Sequence, residues 1–142
     1  MTSMEEINEW LKNDKHFMGC FTKEALPPLP SSFPKTMIVK CDNHFIAIVM
    51  KKDQCLYFDS YGEKIIDSEL INYLSYLYDK VIYSSNIIQH KNSKNCGKFC
   101  TLFVKNVLNE NSFVQFINLF NIHFKLLNDV IILYLFENEK YT

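Results

Sequence analysis

The 142-residue sequence predicts a single α+β domain over residues 1–142, a small mixed or antiparallel sheet flanked by helices. Short runs rich in β-branched apolar residues, typical of strands, are separated by longer stretches in which apolar residues recur at helical spacing. The predicted order is a helix, several strands, a helix, a strand and then helices, which indicates α+β packing. With 48% hydrophobic and 15% aromatic residues, the chain can bury a real core.

The first half of the chain is predicted to form one helix and three strands. Ile7, Trp10 and Leu11 recur at helical spacing within residues 4–13. The prolines of residues 27–34 predict an extended loop, because proline fixes φ and lacks an N–H donor. A tight turn at Asp42-Asn43 separates the first two strands. The three strands are assigned to residues 36–41, 44–50 and 55–58.

The second half is predicted to be mostly helical. A helix over residues 67–78 carries apolar side chains on one stripe, and a strand follows over 81–88. Three more helices are assigned to residues 96–108, 112–120 and 124–136. Residues 130–136 are expected to form a buried helix, because the apolar run is shorter than the roughly 18 residues of a membrane span. An aromatic stripe is assigned to the core, with docking of a partner as the alternative: Phe113, Phe116, Phe120 and Phe124.

Composition disfavours several classes of function. The net charge is −1 and all 15 basic residues are Lys, so the guanidinium fork that reads base edges is missing and sequence-specific nucleic-acid binding is disfavoured. The first residues contain no basic region followed by an apolar one, so no secretory signal is predicted. We therefore expect an intracellular, reducing compartment, no membrane partner, and no disulfide framework among the five cysteines.

Cys96 is the candidate nucleophile. It follows Asn95, a good N-cap residue, and is predicted to begin a helix. Unpaired backbone N–H groups and the positive end of the helix dipole would stabilise a thiolate there. Gly97 would let a substrate backbone approach closely. The alternative is that Cys96 is a small buried residue at the start of a helix.

Three further residues have types that could assist such a thiol. His44 begins the most apolar strand and could accept the proton of Cys96. Asp59 ends the next strand, and an antiparallel pairing would let its carboxylate fix the imidazole tautomer. Gln89 could donate an N–H to an oxyanion. The alternatives are a strand-end histidine, a turn aspartate and an ordinary loop glutamine.

Together these residues resemble the adenovirus protease family of cysteine peptidases. The family pattern is a His before an apolar strand, an acidic residue in an aromatic turn, and a Gln seven residues before the nucleophile in Cys-Gly-x-Phe-Cys. The chain has HFIA at residues 44–47, YFDSYG at 57–62, Gln89, and CGKFC at 96–100. Residues 16–19 also resemble the segment that precedes the family's first strand, so the resemblance runs from about residue 17 to 104.

The resemblance implies a papain-like mechanism with Cys96 as nucleophile, His44 as base, Asp59 as orienter and Gln89 as oxyanion donor. Phe45 would wall a narrow channel that favours cleavage near Gly. The implied substrates are viral or virus-like precursor proteins cut during particle maturation, in the host nucleus, the cytoplasm or the virion. The family's activating peptide and DNA lack clear counterparts here, since residues 78–88 contain no Cys and the net charge is low.

Three alternatives stay open at this stage. The wider clan includes proteases that remove SUMO-like modifiers, so a ubiquitin-like conjugate is an alternative substrate. An inactive binding module that retains the fold is the second. A zinc site built from Cys41 with His44 and Cys96 with Cys100 is the third, but the spacing of these pairs is unlike that of zinc knuckles. We therefore predict no cofactor and no metal. His90 is expected to line the site if the protease hypothesis holds.

Overall fold

The computed structural model describes residues 2–139 and has an α+β fold, with a five-stranded mixed sheet flanked by helices. This confirms the predicted fold class. The strands lie in the order β1-β2-β3-β4-β5. They are β1 (Phe17–Thr22), β2 (Lys35–Cys41), β3 (His44–Met50), β4 (Cys55–Phe58) and β5 (Ile82–Tyr83). The helices are α1 (Met4–Trp10), α2 (Ser68–Ser75), α3 (Cys96–Asn106), α4 (Glu110–Ile117) and α5 (Lys125–Glu139).

The centre of the sheet is an antiparallel meander of β2, β3 and β4, the three strands that the sequence predicted in this half of the chain. The pair Cys41 and His44 closes the first hairpin, and Asp42 adopts a φ of 57° in its turn, a conformation that Asp tolerates better than most residues. The outer strands β1 and β5 run parallel to their neighbours. Strand β3 is buried on both faces, which explains its nearly continuous apolar sequence.

The sheet separates two apolar clusters. One lies between the sheet and the helices α1, α3, α4 and α5, and the other lies under α2. In the first cluster Phe58 stacks on Phe103 with ring centroids 4.8 Å apart, and Phe116 meets both rings edge-on. Phe113 and Phe120 are also buried, but Phe124 is 71% exposed, so the predicted core stripe is wrong at its last member. This packing holds α3 and α4 against the sheet at β4.

The sequence prediction missed one strand and made another too long. Strand β1 was not predicted, because Gly19 at a φ of 139° and a register shift between Phe17 and Cys20 remove the alternating pattern. The segment that resembled the approach to a first strand therefore belongs to that strand. The strand predicted over 81–88 is reduced to the two residues of β5. Residues 84–86 instead pass over Gly62, where a Cβ atom would lie 2.5 Å from a backbone oxygen.

Helix α5 is less buried than predicted. Its residue Ile132 is fully buried, whereas Val130 is 62% exposed and Leu133 and Tyr134 are also exposed. All helices begin and end within three residues of the predicted bounds. None of the helices within residues 2–139 has the length and apolar character that crossing a membrane requires.

Candidate active site

The pairing of β3 with β4 brings His44 and Asp59 together. Ala47 lies opposite Phe58, so extending this antiparallel register by one residue places Asp59 on the same face as His44 and diagonal to it. The Nε2 atom of His44 lies 2.7 Å from Oδ1 of Asp59. The same carboxylate oxygen accepts the backbone N–H of Tyr61 at 2.8 Å, which fixes its orientation. The two predicted partners therefore meet at one edge of the sheet.

Cys96 is the first residue of α3 and is 4% exposed. The pKa of its thiol is lowered by His44 and by the backbone of Phe45 and Gly97, which lie close enough to stabilise a thiolate. Because Nε2 of His44 is bound to Asp59, Nδ1 is the ring nitrogen left for the sulfur. Asn95 occupies the N-cap position as predicted, but its side chain makes no capping hydrogen bond. The imidazole is thus bound to the carboxylate and acts electrostatically on the thiol, which places the three groups in series.

The electrostatics favour a proton on the imidazole. Burial raises the pKa of Cys96, but the hydrogen bonds from His44 and from the backbone, with the His44 charge, bring it below 9.0. Burial lowers the pKa of His44, but hydrogen bonds and charges of Asp59 and Cys96 outweigh this effect and raise it from 6.5 to about 9. The pair therefore favours thiolate and imidazolium.

The other four cysteines behave in the opposite way. Burial raises the pKa of Cys20, Cys41 and Cys55 to about 12 and raises that of Cys100 well above 9.0. The Cys100 thiol is fully buried and donates to the Phe45 carbonyl oxygen at 3.3 Å, so its role is structural. Among the five thiols, Cys96 alone has conditions that favour a nucleophile.

Gln89 is fully buried beside this series. Its backbone N–H and that of Ile88 both donate to the carbonyl oxygen of Ser60, at 3.0 and 2.9 Å, and Ser60 directly follows Asp59. The Ser60 hydroxyl donates to Oε1 of Gln89, and Nε2 of Gln89 donates to the Ser93 carbonyl oxygen at 3.1 Å. These bonds fix which end of the carboxamide is the donor. Since an amide NH₂ has two hydrogens, one is left for a further acceptor.

Tyr61 is a site residue that the sequence analysis did not assign. Its ring centroid lies 4.7 Å from that of His44, with the planes tilted by 37°. Burial and the negative charges of Cys96, Asp59 and Asp129 raise its pKa, so it remains a neutral phenol that covers the imidazole. Its place in the YFDSYG motif, two residues after Asp59, was the signal that could have identified it.

The two residues expected to contact substrate are placed differently from the prediction. The Phe45 side chain is fully buried in the core, so its ring offers no surface to a channel, and its backbone contacts Cys96 instead. Gly97 is covered by the N-terminal segment: a Cβ atom there would lie 2.8 Å from the Thr2 side chain and 3.3 Å from that of Ile7. Glycine is required for this packing, and the expected open path for a substrate backbone is filled.

An open cleft of about 230 Å³ reaches Gln89. His90 lines it, as expected, whereas Cys96, His44 and Asp59 do not. Its lining consists of Tyr61, Ile87, Gln89, His90, Lys91 and Lys125. Tyr61, whose ring lies against that of His44, and Gln89 are therefore the two site residues that line this cleft.

The zinc alternative is not favoured by the geometry. Within residues 2–139, no group of three or more His, Cys, Asp or Glu side chains is placed to hold a metal ion. His44 is occupied by Asp59 and Cys96, and Cys100 donates to a backbone oxygen. Of the four side chains considered for zinc, His44 and Cys96 are thus paired with each other, and Cys100 is bound to the backbone.

The fold brings one thiol, one imidazole, one carboxylate and one carboxamide to the edge of β3, although they come from four separate segments of the chain. No family model matches the sequence, and a search of curated proteins finds no match. The activity must therefore be inferred from the chemistry of these side chains and from the motifs that they form.

Proposed function

We propose that this protein is a cysteine endopeptidase of the adenovirus-protease type. Cys96 is the nucleophile, His44 the general base and acid, Asp59 the group that orients the imidazole, and Gln89 an oxyanion donor. One observation carries the proposal: the imidazole bound to Asp59 at 2.7 Å is also the side chain that lowers the pKa of the buried Cys96 thiol. A cysteine packed for stability alone has no need of this arrangement.

The proposed reaction begins with the thiolate of Cys96 and the imidazolium of His44. The sulfur attacks the carbonyl carbon of the scissile amide, and the carbonyl electrons move to oxygen. The backbone N–H of Cys96 and the second Nε2 hydrogen of Gln89 donate to this oxyanion. Losing one such donor typically costs roughly a hundredfold or more in rate.

Collapse of the tetrahedral intermediate releases the amine and leaves a thioester. His44 gives its proton to the leaving nitrogen, and Asp59 holds the ring so that the proton lies toward the reacting atoms. In the second half-reaction His44 takes a proton from water, which attacks the thioester carbonyl carbon. The acid product leaves, the sulfur regains its electron pair, and the imidazolium–thiolate pair is restored.

We propose precursor proteins of a virus or virus-like element as substrates, cut near Gly, on the strength of the motif resemblance. Small side chains at the cleavage point suit this site, because the cysteine is 4% exposed and Gly97 is already covered. Since the Phe45 ring lies in the core, Tyr61 is the aromatic residue that would wall the channel in this protein.

Cleavage profiling on a peptide library tests this function, with Cys96→Ala as control and modifier-linked proteins as a second substrate set. We expect products cut near Gly from the wild-type chain and none from the control. Preference for modifier-linked proteins over free peptides would favour a deconjugating protease. No cleavage of either set, or equal turnover in Cys96→Ala, would contradict the proposal.

A further inference from the structure

Helix α5 contacts the loop that leads to the candidate nucleophile. This loop comprises residues 88–95, is called the pre-nucleophile loop here, and ends directly before Cys96. Asn128 of α5 is fully buried, and its Nδ2 donates to the carbonyl oxygens of Ile88 at 2.8 Å and Asn121 at 2.7 Å. Its Oδ1 accepts the backbone N–H of Asn121 at 2.7 Å. Asn128 thereby joins the beginning of the loop to the beginning of α5.

The next residue of α5, Asp129, holds the other end of the loop. Its Oδ1 accepts the hydroxyl of Ser93 at 2.6 Å and the side-chain amide of Asn95 at 3.2 Å. The Ser93 hydroxyl oxygen in turn accepts the backbone N–H of Asn95 at 3.2 Å. The carbonyl oxygen of the same serine accepts Nε2 of Gln89. A continuous series of bonds therefore runs from Asp129 through Ser93 to the candidate oxyanion donor.

Helix α5 is itself fixed to the rest of the molecule. Ile132 is fully buried in the main core, and the Phe136 ring meets Trp10 of α1 edge-on at 4.5 Å between centroids. The Lys98 ammonium of α3 lies 5.6 Å from the centroid of the same Phe136 ring. Helix α5 is thus held against α1 and α3, and α3 carries Cys96. It can therefore hold the pre-nucleophile loop in a fixed position relative to Cys96.

We propose that Asn128 and Asp129 are positioning residues for the candidate peptidase site. They hold the two ends of the pre-nucleophile loop so that the Gln89 carboxamide points its N–H toward the oxyanion beside Cys96. The inference rests on the proposed function, and it lies outside the motif resemblance, which ends near residue 104. Displacement of a catalytic donor by about 1 Å can cost roughly a hundredfold in rate. Asn128 and Asp129, together called the clamp below, would therefore affect catalysis by setting the position of Gln89.

Asp129→Ala is the variant that tests the clamp. We expect kcat to fall roughly tenfold or more with little change in KM, because the substrate still binds but the donor is displaced. Asp129→Asn keeps an oxygen that accepts both bonds, so its kcat should lie between that of the wild type and that of Asp129→Ala. The matched control is Glu137→Ala, which removes an exposed carboxylate from the same helix. Loss of activity in the control equal to that in Asp129→Ala would overturn the inference.

A double-mutant cycle separates positioning from general destabilisation. If Asp129 acts through Gln89, then Asp129→Ala adds no further loss of kcat in the Gln89→Ala background, because no donor remains to be positioned. Losses that multiply in the double variant would overturn the inference. A urea titration of each variant checks that it is folded under the conditions of the kinetic assay.

Hydrogen exchange tests the clamp even if the wild-type chain cleaves no peptide, in which case the proposed function fails by itself. We expect backbone amides of the pre-nucleophile loop to exchange faster in Asp129→Ala, and Glu137→Ala to match the wild type. If Asp129→Ala leaves the exchange of residues 88–95 unchanged, the clamp is refuted, whatever the peptidase activity.

Discussion

Replacing Asp59 with Asn tests the imidazole at the centre of the candidate site. The carboxamide keeps an oxygen that can accept the N–H of His44, so the hydrogen bond is retained while the negative charge is removed. In the wild-type chain the pKa of His44 is raised from 6.5 to about 9, against burial, by Asp59 and Cys96. The variant therefore removes one of the two causes of this increase.

The magnitude follows from the charge that is lost. The rise from 6.5 to about 9 corresponds to roughly 3 kcal/mol in favour of the imidazolium, shared between the two neighbours. An adjacent opposite charge shifts a pKa by roughly 1 to 3. We therefore expect the pKa of His44 to fall by roughly 1 to 3 in Asp59→Asn. The pKa of Cys96 should rise at the same time, because its cationic partner is less populated.

The assay has two parts, one independent of catalysis. The ring signals of the histidines are titrated by NMR, with His44→Ala identifying the signal of His44. The pH profile of kcat/KM is measured in parallel. The active ion pair exists above the pKa of Cys96 and below that of His44, so the wild-type profile should rise below pH 9.0 and fall through about pH 9. In Asp59→Asn both limbs should move toward each other.

The matched control is Asp53→Asn, which neutralises an exposed aspartate in the turn between β3 and β4. This variant should retain the wild-type pKa of His44 and the wild-type pH profile. An unchanged pKa of His44 in Asp59→Asn would refute the reasoning, because it would mean that the carboxylate 2.7 Å away does not stabilise the imidazolium.

Three further predictions concern the site and its support. Gln89→Ala should lower kcat by roughly a hundredfold with little change in KM in steady-state kinetics; an unchanged kcat would remove it from the oxyanion site. Gly97→Ala should lower the free energy of unfolding by about 1–3 kcal/mol in urea titrations, because the new methyl group would lie 2.8 Å from Thr2; a stabilised variant would contradict this packing. Phe103→Ala should lower the free energy of unfolding by about 3–5 kcal/mol in the same titrations, because its ring is fully buried among other rings. Phe124→Ala should change the free energy of unfolding by under about 0.5 kcal/mol, because Phe124 is exposed. Equal effects of the two substitutions would contradict the assignment of Phe124 to the surface.

The central strands could be predicted because their sequences carry the pattern of their environment. The run over 44–50 is apolar throughout, and the structure buries β3 on both faces. The bounds of β3 and β4 match the prediction at both ends. Their antiparallel pairing follows from the short turn between them, so the meeting of His44 and Asp59 could be predicted as well.

Other elements depend on contacts that no local pattern reports. Strand β5 stops after Tyr83 because β4 offers a short edge, and Asn86 donates its backbone N–H to the Ser84 hydroxyl in place of a ladder bond. The absence of a side chain at Gly97 predicted an open approach for a substrate, whereas its neighbour in space is Thr2, ninety-five positions earlier. The link from Asp129 to the pre-nucleophile loop also joins residues that are far apart in sequence, because Ser93 lies 36 residues earlier.

The most direct test of the central claim is which of the five thiols reacts first with iodoacetamide slightly below neutral pH, read by peptide mass spectrometry. Because the pKa of Cys96 alone is lowered, we expect Cys96 to be labelled well before the other four, and His44→Ala to slow its labelling. Equal labelling of another cysteine, or a rate at Cys96 that is unaffected by His44→Ala, would contradict a thiolate held by that imidazole.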